Sequence, residues 1–187
     1  MTRFAPTLSP PVRRRFEVLP ASHPISVFVE EHERILGFVD RLDDLIEQFR
    51  DDVGTPRARD VAREIAEIVR NLLDAKPHHD REEAVLFTAL ERRGVAMPPR
   101  VMRMEHRELH ALEVRLAAAV AVEHPDSEEI AEAGGSLSSR LRDHIAKENE
   151  ILYPMALDVL DDPHLWESMN PPLREIGPCR WGADLFR

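Results

Sequence analysis

The sequence predicts an all-α protein: an up-down-up-down four-helix bundle with an extra N-terminal arm and C-terminal tail. Three observations carry this. Helix formers (Ala, Leu, Glu, Arg) dominate a chain with only 7 glycines, and the period-two alternation of strands is absent. Four long stretches repeat apolar residues at helical spacing, each bounded by breakers. The connections are short, about 4–6 residues, which makes successive helices antiparallel.

The chain divides into a Pro-rich arm (1–22), the bundle (23–162) and a tail (163–187). The first helix is expected from Pro24 to Arg50, because Pro suits a first helical turn. Val27, Phe28, Ile35, Leu36, Val39, Leu42, Leu45, Ile46 and Phe49 recur at helical spacing, and Asp51, Asp52 and Gly54 close it. The second is expected from Pro56, behind a Thr55 cap, to Arg93, with Pro77 as an internal kink and Gly94 as terminator. The third begins near Pro98-Pro99 and ends before His124-Pro125. The fourth begins at Asp126, whose spacing to Glu129 resembles a capping box, and ends near Leu160, before Asp162-Pro163. Gly134-Gly135 weaken its start and Pro154 bends its end. In the tail a short helix fits His164–Ser168, and Trp181, Leu185 and Phe186 are expected to pack on the rest.

Charge and composition narrow the function. A net charge of −10 argues against nucleic acid or anionic membranes as partners. No apolar run reaches the roughly 18 residues of a transmembrane helix. The arm has arginines but no apolar core, so it does not read as a secretory signal. Its prolines spoil the amphipathic helix of a transit peptide. The lone Cys179 leaves no intramolecular disulfide and no cysteine-rich zinc site, and the expected compartment is the cytoplasm.

The unusual feature is histidine, with nine residues. HHDREEAVLFTAL from His78 aligns without gaps with HIAKENEILYPMA from His144, matching Glu82 to Glu148, Leu86 to Leu152 and Phe87 to Tyr153. Each is preceded by a weaker pair, EEHERIL around His32 and MEHREL around His106. The chain reads as two helical hairpins with one chemical layout. A His and a Glu four apart share a helix face and reach one metal or adjacent metals. Inward carboxylates and imidazoles from four helices are how bundles build di-iron sites, and this donor set suits iron, manganese or zinc. His110, four residues after His106, supplies a fifth imidazole. One iron then takes His106, His110 and His144, the other takes His32 and His78, and Glu82 and Glu148 bridge them. The unequal count leaves an open position for a small ligand.

On these motifs (EEH at His32, HHxxEExxLF from His78, EH at His106, HxxxExxxLYP from His144) the chain resembles the hemerythrin-like HHE cation-binding family over residues 24–160. The resemblance implies a non-haem di-iron centre that binds dioxygen or another small ligand such as NO or peroxide, for oxygen or redox sensing or handling. A ligand-binding protein rather than an enzyme is expected, with two iron ions as cofactor and zinc or manganese as substitutes in a purified sample. The alternatives are a peroxidase-like or catalase-like di-iron enzyme, iron-centre repair by iron donation, and iron storage. A protein partner or a homodimer is compatible with the sequence. The oxygen-carrier pattern has an Asp five residues after its last His, where this chain has Asn149; Glu148 takes that role instead.

Neighbouring residues have blander readings. The tandem Glu82-Glu83 and the nearby Glu150 leave a register alternative open. His79 aligns with Ile145 and reads as a residue behind the ligands or at the surface. Glu31 and Glu105 suit either acceptors for imidazole N–H groups or an exposed face. Leu86, Phe87, Leu152 and Tyr153 read as core that keeps the site dry. His23, His124 and His164 sit beside prolines as caps or exposed groups, and Cys179 reads as inert.

Overall fold

The structure is a computed structural model that describes residues 8–186. Among the described residues it is helical, with no strand. A short α1 (Pro10–Glu17) precedes α2 (Pro24–Asp52) and α3 (Ala58–Leu73). After a turn, α4 runs as Lys76–Arg81, a π-helical segment Glu82–Phe87, and Thr88–Arg92. Next comes α5 (Met97–Val120). A second interrupted helix, α6, runs as Ser127–Lys147, a π segment Glu148–Leu152, and Tyr153–Val159. The chain closes with α7 (Pro163–Ile176) and a 3₁₀ helix over Arg180–Phe186.

Four of these helices form a closed ring of contacts, since α2 and α5 each pack along both α3 and α6. Two apolar clusters fill the interior. One holds Leu42, Leu45, Ile65, Leu116 and Leu137. The other holds Phe16, Phe28, Phe87, Leu152, Tyr153 and Trp166. The clusters part at one level along the ring: between Val29 and Ile35, Ala75 and Val85, Met102 and Leu109, and Ile145 and Leu152. His32, His78, Glu82, His106 and Glu148 fall in those gaps, and His144 borders one.

Local sequence explains most helix ends. Nδ1 of His23 accepts the Ile25 N–H at 3.2 Å, with Pro24 opening α2. The Asp126 carboxylate accepts the Glu128 N–H at 2.9 Å, while Glu129 turns to Arg115 at 2.8 Å and forms no capping box. Thr55 does not cap α3; its hydroxyl donates back to the Asp52 carbonyl at 2.7 Å, and the helix starts at Ala58. Pro77 breaks the second stretch rather than kinking it. Without an N–H it cannot continue the ladder, so Ala75 bonds to Leu72 and His78 to Ala75, each three residues back. Gly134 lets α2 come close: the Cδ1 end of Ile46 occupies the place of its missing Cβ, and a side chain there would have to turn that end aside.

The two π segments were not expected. They stand at matching positions of the internal repeat and each begins at the aligned glutamate. Widening a turn by one residue brings consecutive side chains inward, and Val85, Leu86 and Phe87 are all buried, as are Leu152, Tyr153 and Pro154.

The arm and the tail share the second cluster. Leu8, Val12 and Phe16 are buried there, and the Ser9 hydroxyl and N–H both donate to Glu150, at 2.5 and 2.8 Å. Residues 1–7 of the expected arm lie outside the described residues. The tail helix is longer than its sequence suggests, because α7 continues through Pro171-Pro172. The Trp166 indole N–H donates to the Leu160 carbonyl at 2.6 Å and fixes its start. No described helix is long and apolar enough to cross a membrane.

Candidate metal centre

Helices α2, α4, α5 and α6 deliver imidazoles and carboxylates to the level between the two clusters, α4 following α3 after the turn. Nε2 of His32 faces Nε2 of His78 at 3.0 Å and Oε2 of Glu148 at 3.2 Å. Nε2 of His144 is 3.3 Å from Glu148 Oε2, and Nε2 of His78 is 3.4 Å from Glu82 Oε2. Nε2 of His106 lies between the glutamates, 3.5 Å from Glu82 and 3.7 Å from Glu148. Ligand atoms about 2.1 Å from a shared ion stand about 3 Å apart at right angles, so this spacing suits ions between the groups. Two sets of donors are close enough to hold one: His32, His78, Glu82 and Glu148; and His79, His106 and His144. Glu82 Oε2, His106 Nε2, His144 Nε2 and both Glu148 oxygens are buried without a hydrogen-bond partner. Buried polar atoms are rarely left so, and five on one centre fit a cation shared among them.

Outside the centre every aligned imidazole is held by Nδ1. His78 meets Glu31 at 2.8 Å and His144 meets Glu105 at 2.9 Å. His106 meets Glu83 at 2.7 Å and His32 meets Asn149 at 3.0 Å. With Nδ1–H donating outward, each Nε2 lone pair is directed inward, the tautomer a metal needs.

The electrostatics point the same way. Burial works against charge on both glutamates. It joins the charge of Glu148 in lifting Glu82 well above the carboxylate range, while the imidazoles around Glu148 hold it well below. Two ionised carboxylates cannot share this space without a cation. Despite burial, His106 is pushed up to about 10 by Glu148, Glu83 and Glu82. Burial lowers His78 to about 4, leaving it neutral at pH 7. The Tyr153 phenol, kept protonated by burial and by Glu82, donates to Glu82 Oε1 at 2.5 Å and stands 3.5 Å from His32 Nε2.

Six of the seven residues expected as ligands converge: His32, His78, Glu82, His106, His144 and Glu148. The structure does not bring His110 in. Its side chain is 62% exposed, with Nδ1 3.5 Å from Glu113. Its place beside His106 is taken by His79, whose ring stacks on His106 at 3.9 Å. His78 and His79 are consecutive in the short helical piece behind the turn before Pro77, and both reach the centre. His110 instead lines a cleft of about 240 Å³ with Lys76, Arg107 and Glu113, and His79 and His106 form its inner wall. Sequence reading also missed Glu83 and Asn149 as imidazole partners. The signal was available, since each directly follows an aligned glutamate.

A family model described as the hemerythrin HHE cation-binding domain matches residues 23–156. No curated protein matches the chain.

Proposed function

Because the chain belongs to the hemerythrin HHE cation-binding domain family, we propose that it is a non-haem di-iron protein that binds dioxygen, NO or peroxide for oxygen or redox sensing or handling. Taken with α4 as the continuation of α3, the ring of α2, α3, α5 and α6 is then an up-down-up-down bundle around the centre. The observation that carries this reading is the set of five unpartnered buried donor atoms on Glu82, His106, His144 and Glu148.

In this reading His32 and His78 would hold one ion and His79, His106 and His144 the other, with carboxylate supplied by Glu82 and Glu148, and His79 replaces His110 in the set. A pair of irons there would supply redox chemistry and bind the small ligand. The chain's residues do the rest. Glu31, Glu83, Glu105 and Asn149 fix the inward lone pairs. Phe28, Phe87 and Leu152 exclude water. The Tyr153 hydroxyl, beside the His32–His78 half, is the proton donor available to a ligand there. Ligand reaches the centre through the cleft beside His79.

The test is anaerobic loading with ferrous iron, metal counting, and optical spectra with oxygen, nitric oxide and azide. Two ions per chain and ligand-dependent bands are expected. One ion or none in well-folded protein rejects the di-iron reading.

A further inference from the structure

We propose that the C-terminal segment from Gly177 to Leu185 is a strap whose docking and the occupancy of the metal centre stabilise each other through Arg81 and Glu31. This rests on the metal reading above. The strap lies beyond the family match, which ends at residue 156.

The contacts form one line from strap to centre. Gly177, at φ +86°, turns the chain out of α7, and its carbonyl accepts from the fully buried Arg81. Arg81 also donates to both oxygens of Glu31, at 2.6 and 2.5 Å. Glu31, itself fully buried, accepts from His78 Nδ1 at 2.8 Å, and His78 Nε2 faces the centre. The strap seals this line from outside. Gly182 lies so close that a Cβ there would stand 3.3 Å from Glu31 Oε1. Beside it Cys179 is fully buried. The strap is fastened at its far end. Trp181 donates its indole N–H to the Asn71 carbonyl at 2.9 Å and meets Phe38 edge-on. Arg34 donates to the Trp181 carbonyl and to both oxygens of Asp184, at 2.8 and 2.6 Å.

The direction of the coupling follows from desolvation. Arg81 and Glu31 are a buried ion pair, which holds its geometry only while its remaining hydrogen bonds are met and water is excluded. Lifting the strap removes the Gly177 acceptor and admits water to Glu31. His78 then loses the fixed partner that keeps its Nε2 lone pair inward. A metal held by His78 favours the docked strap by the same factor, because linkage is reciprocal. Glu31 and Arg81 are thus positioning residues, and the strap is the part of the chain able to report occupancy to a partner.

Arg34→Ala tests this, because Arg34 fastens the strap and touches no metal donor. Gly182→Val is the second variant and pushes the strap off Glu31. Ferrous iron is added under nitrogen, its affinity is measured against a chelator, and amide exchange is followed with and without iron. Both variants should hold iron about tenfold less tightly, the lower end of what loss of an orienting partner costs. In the parent chain iron should slow exchange at residues 178–185 about tenfold more than in the 52–56 turn at the other end of the bundle. Equal iron affinity in the parent and both variants, or equal slowing at both ends, overturns the coupling and leaves the metal reading intact. A parent chain that takes up no iron overturns both.

Discussion

The two halves of the internal repeat present the same donors to the centre and different surroundings behind them. Glu31, His78 and Arg81 in the first half match Glu105, His144 and Lys147 in the second, position for position. Both trios make the same contacts: carboxylate to Nδ1, and cation to carboxylate. In the first half all three are buried, under the strap. In the second, Glu105 is 18% exposed and Lys147 45% exposed. A carboxylate that orients an imidazole therefore needs no burial. What burial adds in the first half is dependence on whatever covers it.

The largest effect should come from the residue that joins the halves. Glu148 lies against His32, His106 and His144, whereas Glu82 lies against His78 and His106. Glu148→Ala should abolish retention of both ions, and Glu82→Ala should leave a weakened single one. Metal counting after gel filtration decides this. Equal loss in the two variants would mean that the halves are more alike at the centre than their contacts imply.

The second comparison concerns folding without metal. Glu31→Ala takes from the buried Arg81 its bidentate carboxylate partner, and breaking a buried pair costs about 3–5 kcal/mol. At roughly 2–4 °C per kcal/mol for a chain of this size, the melting temperature should fall by about 10 °C. Glu105→Ala breaks a pair open to solvent, worth about 0–1 kcal/mol. Thermal melts of the metal-free variants test the ranking. Similar shifts would show that the strap does not keep Glu31 dry.

The third separates two histidines. His79→Ala should remove one ion or weaken it about a hundredfold, whereas His110→Ala should change metal content little. Sequence pointed the other way, for a physical reason. On an uninterrupted helix His106 and His110 share a face, and His78 and His79 do not. In the structure His110, though on the unbroken α5, is exposed beside Glu113, while His78 and His79, consecutive in the short piece behind the turn before Pro77, both reach the centre, and that turn is not written in helical periodicity. What was legible was the helical class and the repeat itself: the aligned His32, His78, His106 and His144, and the glutamates four residues on. The partners Glu31 and Glu105 were recognised as one of two readings. The strap was not legible, because its contacts with Arg81, Arg34 and Asn71 join segments far apart in sequence.

The smallest effect concerns a position where the halves differ inside the core. Glu113 aligns with Val39 and is 5% exposed, so the second half buries a carboxyl where the first buries a methyl-bearing side chain. Burial raises the Glu113 carboxyl to about 7. The cleft it lines holds both signs of charge, Lys76, Arg107 and His110 with Asp80 and Glu83, and burial alone sets the shift. The sign follows from linkage. Below the unfolded value of 4.5 the group is protonated in both states and costs nothing. As pH rises from there to about 7, the unfolded chain ionises while the folded one resists, so stability falls and then levels off. In metal-free protein, Glu113→Gln should melt a few degrees higher than the parent at pH 8, with the difference shrinking towards pH 4.5. Subtracting the two curves cancels the titration of the histidines at the centre. A difference that is flat across this range would mean that Glu113 is ionised in the fold, with its charge met by Arg107 or His110 across the cleft.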